Sequence, residues 1–278
     1  MSHDPNSRQP WHDRIGLVLT LSAFVLLWRI AAAMSPYREG VLGSMNDDSN
    51  GVRLGLGLMG LLIVACGLYA YGKVRTPVVL LFALSACAGG LHWGGPIGVA
   101  DSILETALFL FYFVASSLLG QALFLHFTLL FTGSAALIKG RRWLLLYLPT
   151  AMAAVVSVGI IALPMESAAS KTLRQIFWLL VTSAILYDLA VLATLVTRVV
   201  RPRLGWPSRR QIALILGAFG VVGVVTLLPD LGLSVPISGD ALSFVHILIP
   251  LACAVAIVKS DRRNAPAIHQ QASNMATP

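Results

Sequence analysis

The sequence predicts an all-α integral membrane protein, a polytopic helical bundle of about eight transmembrane helices. Hydrophobic residues make up 57% of the 278 residues and charged residues only 12%, whereas charged residues form about a quarter of a typical soluble domain. The mean hydropathy is +0.80, and the apolar residues are gathered in runs long enough to cross the ~30 Å hydrocarbon core of a bilayer. The lipid bilayer is therefore the first predicted partner.

Each apolar run of about 17 or more residues is predicted to form one membrane-spanning helix. The predicted spans are 15–34, 54–71, 77–93, 103–133, 143–163, 172–197, 211–228 and 241–258. Residues 15–258 thus form one membrane domain, between a polar cytoplasmic segment, 1–14, and a cytoplasmic tail, 259–278, whose composition predicts disorder. The first run follows a basic residue, as in a signal peptide, but its length predicts an uncleaved helix. Seven spans is the alternative.

The run 103–133 is the longest, and the rest of the chain is expected to be organised around it. At about 1.5 Å of rise per residue a helix over this run would be roughly 46 Å long, which exceeds the thickness of the hydrocarbon core. Such a helix should tilt or project from one membrane face. It carries Glu105, Gln121 and His126 among apolar side chains.

The basic residues predict the orientation. The loops on one side of the predicted spans contain most of the lysines and arginines, and the other side has only Arg38, Arg53, Lys171 and Arg174. Because short loops rich in Lys and Arg stay in the cytoplasm, both termini are predicted to be cytoplasmic. The net charge of +8 is explained in this way. The basic residues form no continuous stripe, so no nucleic-acid partner is expected.

Motifs for catalysis and for metal binding are missing. The chain has no HExxH, GxSxG or DDxxD-like pattern, and Cys66, Cys87 and Cys253 lie singly in apolar runs without metal-ligand spacing. No catalytic residue, metal or cofactor is predicted. The glycine-rich runs LGLGLMG and LGAFGVVG lie inside spans, where glycine is expected to allow close approach between helices.

Four ionisable residues fall in the outer halves of four predicted spans. These are Arg29, His92, Glu105 and His246. An ionisable side chain within a span costs about 2.5–3.5 kcal/mol on insertion scales, so each needs a partner or a wet cavity. The four are predicted to enclose a ligand-binding pocket that opens outward, with Arg29 and Glu105 as an ion pair. The alternative is that these two extend to the headgroups and the histidines make interhelical hydrogen bonds.

Asp188 lies near the middle of the sixth predicted span, too deep for its side chain to reach the headgroups. Either it is protonated there or it faces a hydrogen-bond donor of another helix. Polar residues at similar depth are Ser116, Ser117 and Gln121, and Thr182, Ser183 and Thr194 are nearby on the same span. A structural hydrogen bond and a functional proton or cation site both remain open for Asp188.

Several segments resemble one family of bacterial sensors. They are LFLHFTLLFT, RRWLLLYLPTAM, PSRRQIALILGAFGVVGVVTLLP and HILIPLACAVAIVK. Together they resemble the membrane input domain of competence-type (ComP-like) sensor histidine kinases. The matching positions are His126 and Phe127, then Arg209, Arg210 and Gln211, then Pro250, Ala256 and Ile257. The family pattern has Pro at the position of Thr132. Because this chain departs from the pattern there, the end of the long span is left undefined.

The resemblance implies a sensory function for the membrane domain. The segment after residue 258 contains no phospho-accepting helix and no ATP-binding domain, so the expected partner is a separate kinase or other signalling protein. The prediction is a sensory or regulatory module that binds a hydrophobic or amphipathic signal, either lipophilic or peptide, and uses His126 and Asp188 inside the membrane. The alternative is a transporter of a small solute or lipid, or a membrane enzyme acting on a lipophilic substrate.

Overall fold

The computed structural model describes residues 49–94, 110, 114–164, 166–201, 207–227 and 243–259. All regular structure within these residues is helical, which confirms the predicted all-α class for this part of the chain. The predicted first span, 15–34, lies outside the described residues, and so do Arg29, Glu105, the segment 1–14 and residues 260–278.

Eight α-helices and one π-helix make up most of the described chain. They are α1 Ser49–Lys73, α2 Pro77–Gly94, the π-helix Val114–Leu119, α3 Gly120–Phe131, α4 Leu148–Ala162, α5 Ala168–Thr182, α6 Ala184–Val200, α7 Arg209–Leu227 and α8 Phe244–Lys259. Short 3₁₀ helices cover Ala135–Ile138, Gly140–Tyr147 and Ser243–Ile247, and the last of these overlaps the start of α8.

Four described segments are long and apolar enough to cross a membrane. They are Val114–Phe131, Gly140–Ala162, Ala168–Val200 and Arg209–Thr226, and they coincide with the predicted fourth to seventh spans. The predicted second, third and eighth spans correspond to the shorter apolar helices Gly57–Lys73, Pro77–His92 and Phe244–Lys259. These helices indicate a membrane protein, and the number of spans stays a prediction.

The segment Val114–Phe131, called here the central helix, is the most enclosed of the four. Of its residues 67% are buried, against 17% in each of the other three long segments. Those segments instead expose large apolar side chains such as Leu145, Val155 and Leu179, which suit contact with lipid tails. The described part of the longest predicted span therefore lies at the centre of the bundle.

Helices α1 and α2 form a tight antiparallel hairpin through small residues. A Cβ atom added at Gly90 would lie 2.6 Å from the carbonyl oxygen of Gly60, and one added at Gly67 would lie 2.7 Å from the Ala86 Cβ. Glycine permits such close backbone contact in membrane bundles. The expected role of glycine therefore holds for Gly60 of α1.

The same expectation is wrong for α7 within the described residues. A Cβ atom added at Gly217, Gly220 or Gly223 would meet no described atom within 4 Å. These glycines lie in open space on the surface of the described bundle, and they bring no described helix closer.

This contrast supplies a stability prediction. Gly90→Ala should destabilise the protein by about 1–3 kcal/mol, because its methyl group would overlap the backbone of α1 and force the hairpin apart. Gly217→Ala should leave stability unchanged or raise it, since alanine favours a helix where space is open. Thermal unfolding of both variants in detergent measures the difference. Equal melting temperatures would contradict the close packing at Gly90.

The predicted sixth span, 172–197, lies within the segment Ala168–Val200, which contains one turn residue, Ser183. It consists of α5 and α6, which meet at Ser183. The Thr182 hydroxyl donates to the Trp178 carbonyl oxygen at 2.6 Å, and the Ser183 hydroxyl donates to that of Leu180 at 2.5 Å. Hydroxyl groups that bond to carbonyls of the preceding turn often bend helices slightly. Before this turn α5 packs mainly on α4, and after it α6 packs on α3 and α7.

Candidate functional site

Many of the described basic residues lie at one end of the bundle, which is called the basic end. A guanidinium nitrogen of Arg198, in the last turn of α6, lies 3.6 Å from the position of a Cβ atom added at Gly133, just after α3. The Gln211 side chain, at the start of α7, donates to the Ala256 carbonyl oxygen of α8 at 3.0 Å. These contacts bring the carboxyl ends of α3 and α6 together, and likewise the start of α7 and the end of α8.

The π-helix carries a polar cluster far from the basic end, called the distal site. The Ser117 hydroxyl lies 3.3 Å from Nδ1 of His92, which is in the last turn of α2. His246, in the 3₁₀ turn that begins α8, is close enough to interact electrostatically with His92. The structure thus brings together two of the four residues predicted to form the outer pocket. Arg29 and Glu105 lie outside the described residues.

Ser116 adds a buried hydroxyl to this region. Its side chain is 4% exposed, and its oxygen has no hydrogen-bond partner among the described residues. A buried hydroxyl without a partner costs about 1–3 kcal/mol. Helix α4 and α5 both contact the π-helix that carries it. π-helices are rare and often occur at functional sites. Two adjacent serines in an apolar run are the one sequence feature that marks this π-helix.

The junction between the π-helix and α3 is fixed against α2. The Ser85 hydroxyl donates to the Gly120 carbonyl oxygen at 3.0 Å. A Cβ atom added at Gly120 would lie 2.9 Å from the Ala88 Cβ, so the two helices touch at this point. The π-helix therefore ends at a close contact between α2 and the first residue of α3.

Asp188 pairs with the central helix. Its half-buried carboxyl group lies close enough to the Gln121 side chain of α3 to interact with it. Of the three polar residues proposed from the sequence, Gln121 lies beside Asp188, whereas Ser117 contacts His92. The hydroxyl groups that the sequence places near Asp188 on its own span donate to carbonyl oxygens of their own helices. They are Thr182, Ser183 and Thr194.

His126 lies in an aromatic cluster nearer the basic end. Its Nδ1 is 2.9 Å from the Tyr147 hydroxyl, and its ring stacks on Trp143 with centroids 6.3 Å apart and an interplanar angle of 21°. The Tyr187 hydroxyl donates to the Leu146 carbonyl oxygen at 2.5 Å. The cluster joins the central helix to the 3₁₀ helix Gly140–Tyr147 and to α6.

Thr132 lies at the end of the central helix and caps it. The helix stops at Phe131, two residues before the predicted end, and Thr132 is its C-cap. The Thr132 hydroxyl donates to the Thr128 carbonyl oxygen at 2.8 Å. Gly133 then adopts φ of 70°, which glycine tolerates without strain and which commonly terminates helices.

Arg198 directly follows the predicted sixth span, and in the structure it belongs to a helix. It lies in the last turn of α6 and is only 9% exposed. Its guanidinium group sits beside Gly133, at the carboxyl end of α3. A cation is favoured there because the carbonyl groups at a helix C-terminus carry partial negative charge.

The described residues contain no group of three or more His, Cys, Asp or Glu side chains that could hold a metal ion. The cysteines Cys66, Cys87 and Cys253 are free thiols. No family model, curated protein or solved structure matches the chain. The resemblance to ComP-like input domains is therefore a proposal that rests on its sequence segments.

Proposed function

We propose that this protein is a sensory module of eight membrane-spanning helices in the bacterial inner membrane, with both termini in the cytoplasm. It binds a hydrophobic or amphipathic signal at the distal site and acts on a separate kinase or other signalling protein. One observation carries the proposal. The π-helix holds the buried Ser116 hydroxyl, without a described partner, beside the Ser117–His92 contact and near His246.

The distal site has the chemistry that an amphipathic ligand needs. Hydroxyl groups and neutral imidazoles both donate and accept hydrogen bonds, so they suit a polar headgroup. His92 is exposed at the surface of the described bundle, and a ligand would reach it without opening the core. Because the Ser116 hydroxyl is buried, a ligand would bond to it only when the π-helix rearranges locally, and the new hydrogen bond would then favour the rearranged, bound state.

The π-helix also supplies a means of response. Each hydrogen bond of a π-helix joins residues five apart in sequence, one more than in an α-helix. Its conversion to an α-helix would shift the neighbouring segment by about one residue, or roughly 1.5 Å along the axis. Ser85 and Ala88 hold the junction with α3. Ligand binding would therefore shift the equilibrium between two discrete arrangements of the central helix, one with the π-helix and one with an α-helix in its place.

Contacts along α3 and just beyond its end lead from the distal site toward the basic end. Gln121 pairs with Asp188 of α6, and His126 pairs with Tyr147. The Arg198 guanidinium then meets the turn at Gly133. A shift of the central helix would therefore move α6 and the Gly140–Tyr147 segment together. In the proposed orientation these elements face the cytoplasmic signalling partner, as the resemblance to ComP-like sensors implies.

Cysteine labelling tests the distal site. In a variant with Cys66, Cys87 and Cys253 replaced by alanine, Ser117→Cys should react with a membrane-impermeant thiosulfonate added to intact cells. A panel of fatty acids and acylated peptides should contain members that slow this reaction. Ala122→Cys is the matched control, since Ala122 lies on the same helix with no exposed surface, and it should stay unreactive. Labelling of Ser117→Cys that no amphiphile slows would contradict the proposal.

A second function is favoured by the Asp188–Gln121 pair. A carboxyl group within a span commonly marks a proton pathway in transporters. Proton uptake by proteoliposomes, abolished by Asp188→Asn, would support a proton-coupled transporter of a small solute or lipid. The distal site favours sensing, because the π-helix and the buried Ser116 hydroxyl, one of three described buried hydroxyls without a partner, lie there and not at Asp188.

A further inference from the structure

A short segment at the basic end has the composition of a lipid-headgroup site. Residues 139–145, called the interfacial segment, present three cations and then three large apolar side chains. They are Lys139, Arg141, Arg142, Trp143, Leu144 and Leu145, and all six are exposed. The segment enters the apolar helix α4 within a few residues. It is therefore amphipathic along its length, with charge toward the end of the bundle and apolar surface toward the membrane.

The cations of this segment meet no carboxylate in the described part of the chain. Glu166 and Asp188 are the acidic residues that the structure describes. Glu166 precedes α5, at the opposite end of the bundle, and Asp188 pairs with Gln121. The positive charge at residues 139–142 thus lacks an internal counter-charge there, and it is complementary to an anion at the membrane surface.

The aromatic residue of the segment is held in a fixed position. The Trp143 ring stacks on His126, and it meets the Tyr147 ring edge-on with centroids 6.0 Å apart. Tryptophan and tyrosine favour the level of the lipid headgroups. Trp143 therefore sets the depth of Arg141 and Arg142 relative to the bilayer, and it connects them to the central helix through His126.

We infer that the interfacial segment is a binding site for an anionic phospholipid, separate from the distal site and independent of the proposed sensory function. The guanidinium groups of Arg141 and Arg142 would hold the phosphate through paired N–H donors, a geometry that arginine provides and lysine does not. Trp143, Leu144 and Leu145 would lie along the acyl chains. Lipid composition would thereby act on the position of His126 and of the central helix.

Native mass spectrometry of the full chain, released from nanodiscs, tests this site. Discs that contain phosphatidylglycerol and phosphatidylcholine in equal amounts should yield wild-type protein with phosphatidylglycerol retained preferentially. The double variant Arg141→Gln/Arg142→Gln should lose this preference by about tenfold, because each basic residue near the surface contributes to attraction of anionic lipid. Raised salt should weaken the preference as well, since exposed charges are screened.

The matched control is Lys171→Gln/Arg174→Gln, which removes two cations from α5 at the opposite end of the bundle. It should retain the wild-type preference. Thermal unfolding of both double variants in detergent verifies that each is folded. Equal retention of the two lipids by the wild type would overturn the inference. So would an equal loss in the control, or a preference that survives in the Arg141→Gln/Arg142→Gln variant.

Discussion

Asp188→Leu should reach the membrane at wild-type abundance and yet unfold more easily than the wild type. Leucine inserts more readily than aspartate at mid-bilayer, but it removes the polar group that lies beside the Gln121 amide. Interhelical hydrogen bonds in membranes are worth about 0.6–2 kcal/mol. Asp188→Asn keeps both a donor and an acceptor and should remain close to wild type in stability. Membrane abundance and thermal unfolding in detergent measure both effects.

The pair can be isolated by a double-mutant cycle. Gln121→Leu alone should also destabilise the protein, and Gln121→Leu/Asp188→Leu should lose less than the sum of the single variants, because neither polar group is then left unpaired. Strictly additive losses would contradict the pairing. Signal response and proton uptake of Asp188→Asn then separate the two roles left open for this residue. Normal activity indicates a structural hydrogen bond, whereas a stable but inactive protein indicates that Asp188 must change charge.

Arg198→Met should be among the more destabilising single substitutions at the basic end. Methionine keeps much of the apolar stem but removes the guanidinium group from its buried position beside the end of α3. Hydrogen bonds that involve a charged group contribute about 1.5–3 kcal/mol, and the favourable charge at the helix C-terminus would be lost as well. Thermal unfolding in detergent should show a clear fall in melting temperature.

Arg201→Met is the control for Arg198→Met, since Arg201 is exposed and lies immediately after the same helix. Its substitution should change stability by no more than about 0.5 kcal/mol, as is usual for surface positions. Similar losses of stability in the two variants would show that Arg198 contributes through its positive charge alone and not through its buried position. Gly133→Ala offers an independent measure of the same turn, because φ of 70° disfavours alanine there.

The described helices could largely be predicted because hydropathy is a local property. The apolar runs 143–163 and 211–228 correspond to described helices, and the run 103–133 contains the central helix. The predicted end of this run lies two residues beyond the observed end of the central helix, because the Thr132 hydroxyl and Gly133 terminate a helix as effectively as proline. The break at Ser183 was missed because serine and threonine within an apolar run are compatible with a continuous helix, and their bonds to backbone carbonyls became visible only in the structure.

The sequence by itself determined that polar side chains inside apolar runs require partners. That requirement follows from the cost of placing Asp188, His92 or His246 in hydrocarbon, and the cost depends on the residue and the medium alone. Only the tertiary structure decided which partners they have. Gln121 meets Asp188, Ser117 meets His92, and Arg198 meets the end of α3. Each contact joins helices distant in sequence, and their rotation and register are set by close packing such as that of Gly120 on Ala88, which no local pattern of hydropathy encodes.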